Sequence, residues 1–422
     1  MRESTEGTIS MRLRKLLTTV IATVAMMWSI TAMAQSKEAY VVRSNDGGTI
    51  TFYYDTKKST HPSGYVYDIP SSGNTPDWAG TYEKPNETLT HVVFDESFNN
   101  YQPTSTFQWF SNCQALIDIT GIENLNTSSV TDMSYMFNMC FELTSINAKT
   151  FDTSNVTNMG SMFSSCVKLS TLDVSNFDTS SVTNMSNMFY GCEALPLVDV
   201  LFFMTDRVTN MKYMFSGCRS LESIDLENFN TENVTDMGGM FADCGVLKTL
   251  DVSNFNTKNV ENMAGMFSGC KTLNSINVTK FNTSNVTSMA SMFWHCVNLK
   301  SLDLAYFDVS KVTDMERMFQ SCSNLQTIYS NNTWTCASSY NMFDGCTQLK
   351  GAVPFDPAKV DAAMANPKTG YFTLNPTGIE TTKADVEPHK KGVYTVGGIR
   401  VSGELKDQPK GIYIVNGKKV IK

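Results

Sequence analysis

Apolar positions in the middle of the chain return neither every 3.6 nor every two residues but every 26. Counting from Cys140, Cys166, Cys192, Cys218, Cys244, Cys270, Cys296 or Cys322 as zero, leucine recurs at +3 (Leu143, Leu169, Leu221) and a further aliphatic at +6 (Ile146, Leu172, Ile224). Another aliphatic stands at +8 (Val174, Val200, Leu226), phenylalanine at +11 (Phe151, Phe177, Phe229) and valine at +16 (Val156, Val182, Val234). Methionine follows at +19 (Met159, Met185, Met237), and a Met-Phe pair at +22 and +23 (Met162-Phe163, Met188-Phe189, Met240-Phe241). Cys113 leads the series by 27 residues and Cys346 trails it by 24. A fixed period of this length means a solenoid, in which each coil buries its apolar side only by stacking on the next. Within a coil, L-x-x-[LI]-[DN]-[VL] predicts a short strand that stacks in parallel on its neighbours. N-F-[DN]-T-S-x is a turn around one buried Phe. M-x-x-M-F-x-x-C places Met, Met and Cys at i, i+3 and i+7, which predicts one or two helical turns with an apolar stripe.

The flanks lack this beat. Arg12, Arg14 and Lys15 precede an apolar run from Leu16 to Met33 ending in Ala32-Met33-Ala34, the pattern of a cleaved export signal over 1–34, with Met11 the natural start. An uncleaved membrane anchor is the alternative reading. Residues 35–106 hold strand-like runs such as Thr49-Ile50-Thr51-Phe52-Tyr53-Tyr54 and read as a β-rich N-terminal cap, which an array needs to cover its first coil. The array of ten units spans 107–349, a C-terminal cap follows over 350–375, and 376–389 is a polar linker. Residues 390–422 alternate short apolar runs with glycine and predict a small β domain.

Composition narrows the function classes. The formal net charge is -8, and cleavage after Ala34, which removes four basic and two acidic side chains, leaves the mature chain near -10. Nucleic acid, whose phosphates need a basic footprint, is excluded as a partner. A lipid anchor at the cleavage point is excluded too, since the first cysteine is Cys113. The mature chain is expected to have no integral membrane span.

The string V-T-[DN]-M-[SG]-x-M-F-x-x-C-x-x-L-x-x-[LI]-D-[VL]-S-x-F-[DN]-T-S resembles the BspA-like leucine-rich repeat surface proteins over about residues 90–350. The resemblance implies a leucine-rich-repeat-like solenoid and an extracellular, adhesin-type role. Its partners would be host matrix proteins, plasma proteins or other bacterial cells, and no family catalytic residues exist to carry over. Gly392-Val393-Tyr394-Thr395, Gly398-Ile399-Arg400-Val401 and Gly411-Ile412-Tyr413-Ile414-Val415-Asn416-Gly417-Lys418-Lys419-Val420 resemble the C-terminal sorting domain of the Bacteroidetes-type type IX secretion route. That tail implies passage across an outer membrane, followed by release or surface attachment.

Coil stacking brings the ladder cysteines within reach of a disulfide, yet they lie on the Met-Phe stripe and eleven is an odd number, which favours buried free thiols. No C-x-x-C pair exists and His61, His91, His295 and His389 are scattered, so neither a zinc site nor a nucleophile-histidine site is signalled and no enzyme is expected. No cofactor is implied. The Asp/Asn ladders at +7 (Asn147, Asp173, Asp199, Asp225, Asp251, Asn277, Asp303) and +12 (Asp152, Asp178, Asn230, Asn256, Asn282, Asp308) read as calcium ligands or as side chains that cap turns at +12 and face solvent at +7. The capping reading is preferred, because Asn replaces Asp freely. Binding is sought where the repeat varies: Tyr190 and Trp294-His295 stand where Ser or Gly stand elsewhere, and Leu201-Phe202 replaces polar residues. The function expected is a secreted or surface-attached adhesion protein. A structural envelope protein and a glycan-binding component of nutrient capture are the alternatives.

Overall fold

A computed structural model describes residues 36–61, 64–70 and 73–375, Lys406, and the backbone of four tail strands. The expected signal peptide and the linker lie outside the described residues. The N-terminal sheet comprises β1 (Glu38–Arg43), β2 (Thr49–Asp55), β3 (Tyr65–Asp68), β4 (His91–Phe94) and β5 (Asp118–Thr120) in the order β3-β1-β2-β4-β5. Strand β1 is antiparallel to β2 and β3, whereas β2, β4 and β5 run parallel. β5 belongs to the coil of Cys113, so the sheet passes directly into the array. Phe52, Trp78, Phe94, Phe98 and Trp109 are buried together beneath it, with Phe52 6.0 Å from the ring of Phe110.

Phe110 is the first of ten rings, one per coil, that run through the array as Phe137, Phe163, Phe189, Phe215, Phe241, Phe267, Phe293, Phe319 and Phe343. Neighbouring rings lie 5.5–6.1 Å apart and within 23° of parallel. Tyr371 closes the column edge-on to Phe343 at 5.3 Å, and Phe372 packs against both Phe343 and Trp334.

The M-x-x-M-F-x-x-C segment is not the helix its spacing predicts; among the described residues there are short 3-10 turns but no α-helix. In the coil ending at Cys166, the N–H groups of Met162, Ser164 and Cys166 close turns on the carbonyls of Met159, Ser161 and Phe163. Those of Met159, Ser161, Phe163 and Ser165 instead donate to Asn184, Ser186, Met188 and Tyr190 of the next coil. Ser161 and Ser165 make this possible by adopting left-handed backbone, with φ 56° and 58°. The same positions in other coils hold Tyr213 at 54°, Gly239 at 62° and His295 at 59°. Three overlapping turns repeat apolar side chains at the same spacing as a helix, but they direct alternate N–H groups along the stack. A helix would consume those donors internally. Parallel bridges beside this segment run unbroken from Ser105 through Asn158, Asn184 and Asn210 to Ser338.

On the opposite stretch of the coil the expected strand stack is interrupted. β6 (Ser145–Ile146) pairs with β7 (Thr171–Leu172), and β8 (Ser301–Asp303), β9 (Thr327–Tyr329) and β10 (Phe372–Thr373) pair near the far end, all in parallel. No described strand lies between Leu172 and Ser301. Pro196 accounts for the first break: Ser170 N–H donates to Thr144 O at 3.0 Å, and Pro196, one coil on, has no N–H to give Ser170 O. Threonine supplies a second tie between coils. Thr231 Oγ1 donates to Asn256 O at 3.0 Å and accepts Asn256 N–H at 2.8 Å, and Thr127, Thr257 and Thr283 do the same one period along. The tail strands β11 (Val393–Thr395), β12 (Arg400–Val401), β13 (Ile412–Val415) and β14 (Lys418–Ile421) form one antiparallel sheet in the order β12-β11-β13-β14.

Candidate binding surface

The recurring residues face inward. Cys140, Cys166, Cys192, Cys218, Cys244, Cys270, Cys296 and Cys322 are buried free thiols, and each donates its S–H to the carbonyl of a Phe in the preceding coil, as Cys166 does to Phe137 at 3.1 Å and Cys192 to Phe163 at 3.2 Å. Burial pushes Cys166, Cys218, Cys270 and Cys322 up to about 12, so they carry protonated sulfur at neutral pH.

The acidic ladders are turn caps at both positions, not at +12 alone. Asp152 Oδ1 accepts the N–H and hydroxyl of Ser154, and Asp173, Asp199, Asp225 and Asp251 accept the N–H two residues on in the same way. The side chains expected to face only solvent at +7 are therefore recruited by the turn that ends the strand segment. Among the described residues no group of three or more His, Cys, Asp or Glu side chains is placed to hold a metal.

What remains exposed is where the repeat departs from itself. Tyr190 and Trp294 share position +24, where other coils carry Ser164, Ser216, Ala242 and Ser268, and they are 41% and 36% exposed. Tyr190 meets Tyr213 edge-on at 6.2 Å, and Lys212 Nζ lies 5.4 Å from the Tyr213 ring. Trp294 lies 5.3 Å from the ring of His295, whose left-handed backbone donates its N–H to Gln320 O. The structure does not bring Tyr190 and Trp294 together: four coils separate them, at 5.6–6.1 Å per coil along the phenylalanine column. Phe202, half-buried at +10, occupies a different part of the coil, in the turn after the strand segment.

Sequence reasoning missed two residues of the same coil as Phe202. Pro196 and Leu197 are exposed, Leu197 by 54%, and with Ile146, Lys149, Leu172 and Asp173 they line a shallow open cavity of about 460 Å³. Met204 of the same coil is 45% exposed. The signal was present, since +5 is Ser or Thr in coils such as those of Ser145, Thr171, Ser223 and Thr249.

Coils that bond edge to edge around a continuous aromatic column define a stacked-repeat protein. Residues 104–201, 167–274 and 244–354 match the family described as "Mycoplasma protein of unknown function, DUF285"; these segments together span more than half of the chain, which belongs to that family. No curated protein matches the chain. Among solved structures it is similar to a leucine rich cell surface protein from Faecalibacterium prausnitzii (18% identity, 74% of this chain and 92% of that one, TM-score 0.34). It is also similar to a leucine-rich repeat protein from Bacteroides ovatus (17% identity, 74% and 92%, TM-score 0.28) and to the pneumococcal vaccine antigen PcpA (12% identity, 80% and 98%, TM-score 0.26). No helix among the described residues is long and apolar enough to cross a membrane.

Proposed function

We propose that the chain is an extracellular adhesion protein, secreted or attached to the outer surface, that uses its coil stack as a rigid carrier of exposed aromatic side chains. Its partner is a protein or other component of a cell surface or extracellular matrix, and the reading assigns it no catalysis. The observation that carries this is the pair Tyr190 and Trp294. Their position is small in most coils, so the stack does not require an aromatic there, and Tyr and Trp concentrate binding energy when a partner covers them. Being four coils apart on a stiff body, they form two contacts of one extended surface and reinforce one another through effective concentration.

The test is saturable binding of the mature chain to immobilised matrix proteins and to bacterial cells. Changing Tyr190→Ser and Trp294→Ser together is expected to weaken binding by at least about tenfold, which is 1.4 kcal/mol, without lowering the unfolding midpoint. Undiminished affinity in the double variant would reject these residues as the contact.

A further inference from the structure

We propose that the strand-side face of the coil beginning at Cys192 is a second docking site, for a partner polypeptide segment that carries an apolar side chain flanked by lysine or arginine. The inference rests on the reading of the chain as a binding protein but on different residues, so the two can fail separately.

Four observations converge there. First, this coil carries apolar residues where the next coil is polar: Leu197, Phe202 and Met204 stand where the next coil has Ser223, Asn228 and Asn230, and Leu197 lines the cavity. None of the three is needed to fill the interior, because Leu195, Val198, Val200 and Phe203 of the same coil supply its buried set. Second, the cavity beside Leu197 is floored by Leu172 and rimmed by the ion pair of Lys149 and Asp173 at 2.8 Å, which gives an apolar side chain a seat with a polar edge. Third, Pro196 leaves the Ser170 carbonyl without a donor from the neighbouring coil, and no backbone donor of that coil reaches Leu172 O. A polypeptide laid along the cavity brings N–H groups that these carbonyls can accept.

The fourth observation sets the charge of the partner. Asp173, Asp199, Asp225 and Asp251 succeed one another at the same position of four consecutive coils, and the first of them lines the cavity. Lys149 pairs with Asp173, whereas no described ion pair neutralises Asp199, Asp225 or Asp251. An apolar seat beside an unneutralised acidic row is complementary to an apolar residue set among cations.

The test uses the full mature chain and a fluorescein-labelled peptide of about twelve residues alternating leucine with lysine. Leucine-glutamate and serine-lysine peptides of equal length are the comparators. Saturable binding of the leucine-lysine peptide is expected, at least about tenfold tighter than either comparator. The triple variant Leu197→Ser, Phe202→Asn, Met204→Asn installs residues this stack already carries at those positions, and should lose that preference with its unfolding midpoint intact; Leu197→Ser alone gives a graded loss. Tyr190→Ser with Trp294→Ser should leave peptide binding unchanged. Equal binding of the serine-lysine peptide, absence of saturable binding, or full retention by the triple variant would overturn the proposal.

Discussion

Replacing Thr231 with valine removes one hydroxyl and little else, and so measures what holds coil to coil. That hydroxyl is buried, donates to Asn256 O at 3.0 Å and accepts Asn256 N–H at 2.8 Å. Each bond contributes about 0.5–1.5 kcal/mol net, and a backbone group stranded without a partner costs about 1–3 kcal/mol more. Asn256 itself sits at the surface, so water reaches part of the vacated position and the expected loss is about 1–3 kcal/mol. Coil 296 supplies an internal control: Val309 occupies the equivalent position, and the chain beyond it takes another course, with Ser330 N–H donating to Thr373 O and Trp334 N–H to Ala365 O. Val309→Thr is therefore expected to add nothing. Urea unfolding followed by near-ultraviolet circular dichroism gives the stability, and amide exchange at Asn256 reports the local bond. Thr231→Ser keeps the hydroxyl and should recover most of the loss. The reasoning fails if Thr231→Val stays within about 0.5 kcal/mol of the parent, the ordinary range of a surface change, and Asn256 exchange is unaltered.

Thiol titration checks the cysteine ladder: with ten of the eleven cysteines buried, a native chain at pH 8 should react with Ellman's reagent mainly at half-exposed Cys336. Unfolding without reductant should then release all eleven, and a shortfall that reductant restores would mean disulfides. Burial raises the Asp199 carboxyl above its ordinary value, helped by Asp173 and Asp225, so the folded state disfavours its ionised form. Asp199→Asn, which keeps a cap acceptor as Asn277 does, should stabilise the fold at pH 7. That gain shrinks as pH falls through the raised folded value and vanishes below the unfolded value of about 3.9; a gain that persists at pH 3 would show another cause. Gly239 adopts φ 62° and a Cβ there would collide with the Tyr213 ring, so Gly239→Ala should cost at least about 1–2 kcal/mol, read as a lowered melting midpoint, and an unchanged midpoint would contradict the assigned backbone.

The period and the buried set were legible because identical coils must bury identical side chains: Leu143, Val156, Met159, Met162, Phe163 and Cys166 are all inside, as their spacing implies. The conformation of M-x-x-M-F-x-x-C was not legible, since three overlapping turns and a helix space their apolar residues alike. Only the left-handed residues distinguish them: glycine marks those positions at Gly191, Gly217, Gly239, Gly265 and Gly269, but Ser161, Tyr213, Asp243 and Arg317 hold them in other coils and break the signature. The interrupted strand stack had one readable cause, Pro196, and no side chain announces that the following coils stay unpaired at these positions. Of the surface, Tyr190, Trp294 and Phe202 were visible as departures from the repeat, whereas the cavity beside Leu197 depends on how three coils meet and appears only in three dimensions.

Recurring residues build the stack; the proposal assigns binding to the departures from the repeat. A mature chain carrying Tyr190→Ser, Trp294→Ser, Leu197→Ser, Phe202→Asn and Met204→Asn returns each departure to a residue other coils already use. Titrating it beside the parent against matrix proteins and cells should show an equal or higher melting midpoint with binding reduced to background. Full binding by that chain would contradict the account.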